Sequence, residues 1–278
     1  MSSQRPGAVD LLVSSEVSRE VSDVSGGDER RPVAQAVKFA EIERSLTELR
    51  SGRLIVIADD EDRENEGDLV IAAEMVTPEV INFMATYARG LICLAMTGER
   101  LDQLELGPMV LHNTANLGTA FTVSIDARGR GITTGISSYD RAQTILAAVD
   151  PRTRPEDLAR PGHVFPLRAR PDGVLERRGQ TEASVDLARL AGMHHAAVIC
   201  EIMNRNGSMA RGSDLVRFCS EYDFAMVTVA QLVHYRLETE LDQPPSLHPS
   251  GVYGHGPDWK KLLEEDSMHG NSRTGDRR

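Results

Sequence analysis

The chain has 278 residues, 40% of them hydrophobic, with a formal net charge of −11 and a pI near 5.2. That is enough apolar material for a substantial core, and too acidic a balance for nucleic acid or an anionic membrane, which call for basic surfaces. No apolar run approaches the roughly 18 residues of a membrane span, and the N-terminus lacks the apolar stretch of a signal peptide.

Residues 1–36 are rich in Ser, Val, Glu and Arg without a sustained period and read as a disordered leader. Phe39, Ile42, Leu46 and Leu49 then repeat at helical spacing, and Gly52 can end that helix. Leu54–Ala58 reads as a buried strand. Thr77-Pro78 opens a helix, with threonine as cap and proline in the first turn. Leu91–Met96 and Phe121–Ile125 read as strands, Ser138–Val149 as a helix, Val164–Leu167 as a short strand and Pro171-Asp-Gly173 as a turn. Thr181 is expected to cap a helix that Gly192 ends. Ala196–Met203 reads as a strand, Asn204–Gly207 as a tight turn, Ser213 as the cap of another helix and Ala225–Val229 as a last strand. Residues 241–278 lack a pattern and read as a flexible tail with one short helix around Trp259–Leu263. The alternation predicts one α+β domain over residues 37–240, a mixed β-sheet flanked by helices.

Residue usage narrows the chemistry. Cys93, Cys200 and Cys219 are odd in number, form no CxxC and sit in apolar segments, so they read as reduced, buried thiols of a cytoplasmic protein. In GLICLAM, Cys93 packs rather than attacks, because nothing near it in sequence lowers its pKa. The lysines are Lys38, Lys260 and Lys261, all near the ends, which excludes a Schiff-base lysine in the body of the chain and a P-loop. A phosphorylated ligand would have to be held by arginines and helix N-termini.

Four stretches could carry chemistry. DDEDRENEGD, Asp59–Asp68, gathers seven carboxylates around one arginine at the end of a strand. Set on an EF-hand from Asp62, it places Ala73 at position 12, where the bidentate glutamate belongs, which argues against a calcium hand. A magnesium loop and a solvated acidic turn both remain open. RPGHVFPL offers His163 as an acid or base, or as a structural histidine at a turn. RRGQTEA, with Arg177, Arg178, Gly179, Gln180 and Thr181, reads as a phosphate cradle or an ordinary basic loop. In ICEIMNRNG, Glu201 interrupts an apolar run, and burial would raise its pKa toward the acid–base range.

Together with HNTANLGTAFTVSID and TTGISSYDRA, these motifs resemble 3,4-dihydroxy-2-butanone 4-phosphate synthases over Lys38 to Glu238. The resemblance implies that family's fold and a magnesium- or manganese-dependent lyase of riboflavin biosynthesis. Such an enzyme turns ribulose 5-phosphate into 3,4-dihydroxy-2-butanone 4-phosphate and formate. It implies a homodimer with active sites at the subunit interface, and no nucleic acid or membrane partner. By position it puts substrate contacts at Arg63, Glu64, Asp68, Glu201 and Arg177 to Thr181, with Arg178 and Gly179 among them. Catalytic roles fall on Glu201 and on His163, supplied by the neighbouring subunit. The implied metal ligands are Glu64 and position 180, where the family's motif carries histidine and this chain carries Gln180. Arg178 stands where the family usually has glycine. The tail is too short for the GTP cyclohydrolase II domain fused in many relatives. These departures leave a second expectation, a catalytically impaired or repurposed paralogue that binds a sugar phosphate or makes another product from it.

Overall fold

Ile42, Leu46 and Leu49 line one side of helix α1 (Ala40–Arg50) and are buried with Phe39. Gly52, at φ +71°, follows the helix in the left-handed conformation that glycine adopts at no steric cost. The computed structural model describes residues 39–60 and 62–240. The expected leader, the tail and its short helix lie outside the described residues.

Strand β1 (Ile55–Ala58) is buried on both faces. The acidic loop turns it back as an antiparallel hairpin onto β2 (Gly67–Ala72), with Ala58 opposite Gly67. Then come α2 (Pro78–Phe83), β3 (Cys93–Thr97), α3 (Gly98–Gln103), β4 (Ile125–Ala127), α4 (Ser138–Val149) and β5 (Leu158–Ala169). Helix α5 (Gln180–Leu190), β6 (Ala196–Glu201), α6 (Ser213–Tyr222), β7 (Ala225–Thr228) and α7 (Val229–Glu240) complete the order. The sheet runs β4-β5-β3-β6-β2-β1-β7. It is mixed: β1–β7 and β3–β5 are parallel, and the other neighbours are antiparallel.

Side chains alternate across this sheet. Val56, Leu69, Leu94 and Val198 face one core, shared with Ile81 of α2, Leu101 of α3, Ile145 of α4 and Leu215 of α6. Ile57, Val70, Cys93 and Ile199 face the other, shared with Leu46 of α1, Leu187 of α5 and Leu232 of α7. Both faces are therefore covered, which explains why the central strands read as continuous apolar runs. The expected α+β domain with helices flanking a mixed sheet is the architecture found.

Several boundaries differ from expectation for local reasons. Residues 121–124 form only isolated bridges, and β4 is confined to Ile125–Ala127. Strand β5 extends back through Arg160-Pro-Gly-His163, because β4 pairs along that half with a register shift between Ile125 and Asp126. Thr77 caps α2 as expected, its hydroxyl accepting from Val80 N at 3.3 Å. Thr181 and Ser213 are not caps. Their helices already include them and start at Gln180 and Ser213, after Gly179 and Gly212, where extended or left-handed backbone does the work without a side chain.

Candidate active site

The acidic loop is organised around its own arginine. Arg63 Nη1 donates to the buried Asp59 carboxylate at 2.6 Å and lies 2.9 Å from Glu64 Oε1. The same nitrogen reaches Gln180 Oε1 at 3.3 Å, joining residues 117 apart in sequence. Asp59 Oδ2 also accepts from the Glu64 backbone N–H at 3.1 Å, which fixes the turn. Asp59 and Glu64 are thus not part of a solvated fringe, whereas Asp62 is exposed. Burial raises the proton affinity of Glu64, and the Arg63 guanidinium beside it opposes that effect.

The hairpin carries the loop to the end of the sheet. Asp68 on β2 stands opposite Glu201 on β6, with Ile57 on its other side. All three lie on the face that carries α1, α5 and α7. Asp68 is 4% exposed, and its Oδ1 has no hydrogen-bond partner. Burial, then the charges of Glu201, Glu64, Glu66 and Asp59, push its pKa well above the ordinary carboxylate value. Glu201 is only half-buried, and its Oε2 accepts from Leu91 N at 2.9 Å. Gly90 permits this approach, since a Cβ there would come within 2.6 Å of the Glu201 backbone N and of Oε2. Cys93 is buried behind the pair, and burial pushes its thiol up, so it packs as expected.

Helix α5 begins at the same place. Gln180 and Thr181 form its buried first turn. Arg177 Nη1 donates to Glu182 Oε2 at 2.6 Å, and Nη2 donates to the Leu117 carbonyl at 3.1 Å. Gly179 leaves room for that pair: a Cβ would meet Arg177 Nη1 at 2.2 Å. Glu182 Oε1 also accepts from Arg170 N at 3.2 Å. Arg178 lies near Asp60, whose proton affinity is raised by burial and by Asp59 and lowered by the Arg178 charge.

His163 stands apart from this cluster. Its ring Nδ1 contacts Asp126 Oδ2 at 2.8 Å, and its backbone N–H donates to Asp126 Oδ1 at 3.0 Å. Phe165 pairs with Cys93, and Cys93 with Ile199. His163 and Glu201 each lie two residues further toward the same end of the sheet, on strands separated by two spacings, about 10 Å. The fold therefore joins Arg63, Glu64 and Gln180 directly, sets Asp68 against Glu201, and leaves His163 across the sheet in contact with Asp126. Asp59, Asp126 and Glu182 were not singled out from sequence. Each is an acid whose partner is distant in sequence or hidden in the loop, and the one available cue was their place inside the motifs.

The donor set suits a hard cation. Among the described residues no three His, Cys, Asp or Glu side chains converge as a ready cage. Yet Glu64 Oε1 and Gln180 Oε1, from different segments, already face one cationic nitrogen, that of Arg63. A carboxylate and an amide oxygen are hard donors, and magnesium needs only one or two protein oxygens beside water and substrate. Glu64 and Gln180 would hold it. No helix of the described residues is long and apolar enough to cross a membrane.

Residues 43–235 match the family described as 3,4-dihydroxy-2-butanone 4-phosphate synthase. A riboflavin biosynthesis protein RibBA of Aquifex aeolicus is 56% identical over 222 residues, 78% of this chain and 55% of the relative. A 3,4-dihydroxy-2-butanone 4-phosphate synthase of Neisseria meningitidis is 54% identical over 195 residues, 70% of this chain and 53% of its own. The chain thus spans about half the length of these curated relatives. Among solved structures, a 3,4-dihydroxy-2-butanone 4-phosphate synthase in complex with two magnesium ions superposes with a TM-score of 0.69 at 42% identity. That match covers 72% of this chain and 97% of the other. RibBX, a two-domain synthase from A. baumannii, gives the same TM-score at 50% identity, covering 71% and 58%.

Proposed function

The chain belongs to the 3,4-dihydroxy-2-butanone 4-phosphate synthase family, and from that premise we propose that it is a cytoplasmic, homodimeric lyase of riboflavin biosynthesis. It converts ribulose 5-phosphate to 3,4-dihydroxy-2-butanone 4-phosphate and formate, and residues 37–240 form its catalytic unit. The observation that carries this reading is the single cationic nitrogen of Arg63 held by Asp59, Glu64 and Gln180, at the point where the acidic loop meets the start of α5.

In this reading Arg63, Glu64, Asp68 and Glu201 contact the sugar, and Arg177 to Thr181, with the α5 N-terminus, receive the phosphate. Backbone N–H groups and the helix dipole there favour an anion. Magnesium or manganese, when bound, supplies a Lewis acid that polarises the ketose carbonyl. Burial and the carboxylates around it push the Asp68 pKa upward, and in this reading its carboxyl lies against the sugar. Glu201 and His163 move protons on opposite sides of the substrate. Overall, five carbons divide into a four-carbon phosphate and one formate, with the water lost at one step regained at another.

The homodimer is supported by a strip of exposed apolar side chains, Met109, Val110 and Leu111, beside a groove of about 750 Å³. Leu111 is 92% exposed, which a chain without a partner on that face would rarely tolerate within such a strip.

The test is formate release from ribulose 5-phosphate across magnesium and manganese titrations. Formate equal to the sugar consumed, dependent on metal, is the expected result; folded protein releasing none at any metal concentration overturns the proposal. Gln180→His, which replaces a neutral amide by an imidazole, should tighten manganese binding roughly tenfold, read by electron paramagnetic resonance of the free ion. Equal or weaker binding would remove position 180 from the metal site.

A further inference from the structure

We propose that Arg63 competes with the divalent cation for Glu64 and Gln180, so that this one side chain sets how tightly the site holds metal. This rests on the reading of Glu64 and Gln180 as the metal ligands.

A single nitrogen stands where the two ligand oxygens converge. Arg63 Nη1 donates to Asp59 Oδ2 at 2.6 Å and to Gln180 Oε1 at 3.3 Å, and it pairs with Glu64 Oε1 at 2.9 Å. A guanidinium Nη carries two hydrogens, so three oxygens share two donors. A cation held by Glu64 and Gln180 has to draw the same carboxylate and amide oxygens onto one ion, at about 2.0–2.1 Å for magnesium. The lone pairs turned toward Nη1 are the ones such an ion would use. The ion would also carry its charge close to a guanidinium of like sign, and the two repel. Metal and Nη1 therefore cannot both hold these oxygens at full strength.

Asp59 keeps the competitor in place. Its side chain is 0% exposed. Its Oδ2 accepts from Arg63 and from the Glu64 backbone N–H, and its Oδ1 has no hydrogen-bond partner. A carboxylate buried in that way is costly to strand, so its cation stays. The backbone adds a second restraint: the Asp60 carbonyl accepts from Arg63 N at 3.0 Å and from Asn65 N at 3.2 Å. Arg63 can give up Glu64 and Gln180 but not the loop. Its Nε and Nη2 have no hydrogen-bond partner among the described residues, and the side chain is 21% exposed, which leaves those donors open to a ligand. Anchoring the turn would need Asp59 alone. The further reach to Gln180, on another segment, is the contact that an ion must break.

Arg63→Met removes the competitor but strands Asp59, which endangers the fold. Asp59→Asn combined with Arg63→Met removes one charge of each sign, so net charge is unchanged, and the asparagine oxygen can still accept the Glu64 N–H. In full-length protein, manganese binding is read by electron paramagnetic resonance of the free ion. The double variant should bind manganese roughly tenfold more tightly than wild type. Adding Glu64→Gln should abolish that gain. Equal or weaker binding in the double variant overturns the proposal, and so does a gain that survives Glu64→Gln. If Glu64→Gln alone leaves wild-type binding unchanged, the ion is held elsewhere and the metal assignment falls together with the proposal. None of these measurements needs turnover, so they decide the role of Arg63 even if the wild type releases no formate.

Discussion

Asp68 illustrates how burying a single carboxyl makes stability depend on pH. Its carboxyl is buried, one oxygen has no partner, and four acidic side chains surround it. In the unfolded chain it ionises near the ordinary aspartate value of about 3.9, whereas the fold holds its proton to higher pH. Between those two values the folded state binds more protons, so stability falls as pH rises through the window. Asp68→Asn removes this penalty. In metal-free buffer at pH 7 its unfolding midpoint should exceed that of wild type, by about 2–4 °C for each kcal/mol relieved. The gain should vanish below about pH 3.9, where Asp68 is protonated in both states. Calorimetry at the two pH values checks this; equal midpoints at pH 7 would mean that water or a counter-charge already relieves the site. Position in a motif was enough to single out Arg63, Glu64, Asp68 and Gln180. Asp59 and Asp126 were not legible, because what distinguishes them is a partner brought near by the fold: the Arg63 guanidinium for one, the His163 ring for the other.

The elements that carry these residues are locked by a second, unreactive ionic cluster. Arg236 on α7 donates to Asp186 on α5 at 2.8 Å, to the Asp172 carbonyl at 2.7 Å, and through two nitrogens to Glu240. Asp186 also accepts from Val174 N at 2.9 Å. Helix α5, helix α7 and the turn leading to Arg177 thus share one buried node. Burial raises the Asp186 pKa, and the Arg236 charge opposes it. Arg236→Met would leave Asp186 buried without its cation. Breaking such a pair from one side costs about 3–5 kcal/mol, expected as a lower urea midpoint at an unchanged slope. Adding Asp186→Asn should return part of that loss by removing the stranded charge; no recovery would place the cost in the Asp172 and Glu240 contacts instead. At this scale the legible features were those with a local cause, such as the apolar spacing of α1 and the Thr77-Pro78 start of α2. Strand β2 escaped because it emerges directly from the charged loop. The length of β5 escaped because Pro161-Gly162 reads as a break, while pairing with β4 carries the strand through it.

At the scale of the whole molecule, the proposed acid–base pair of His163 and Glu201 has to be brought together. Alternating strand and helix signals were sufficient to foresee a mixed sheet between helices, since burial on both faces leaves long apolar runs. What a copy of the chain does for its neighbour has no such signature in periodicity. Within one chain His163 is tied to Asp126 and separated from Glu201 by two strand spacings, about 10 Å, with its ring partly open. If His163 serves the Glu201 of a second copy, His163→Ala and Glu201→Gln are each inactive alone but complementary when mixed. Each hybrid dimer then holds one intact site, with Glu201 from the first variant and His163 from the second, and one site lacking both groups. Random exchange makes half the dimers hybrid, and half of their sites are intact, so formate release should recover to about a quarter of the wild-type rate. The subunits must be allowed to exchange, which mass photometry of differently tagged chains can verify. If both groups act within one chain, every hybrid site lacks one of them and the mixture stays inactive. Leu111→Asp supplies the matching control. A charge in the exposed apolar strip should weaken the dimer, seen as a halved mass in dilute solution, and formate release should fall along with the dimer fraction. A fully active monomer would assign His163 and Glu201 to the same chain.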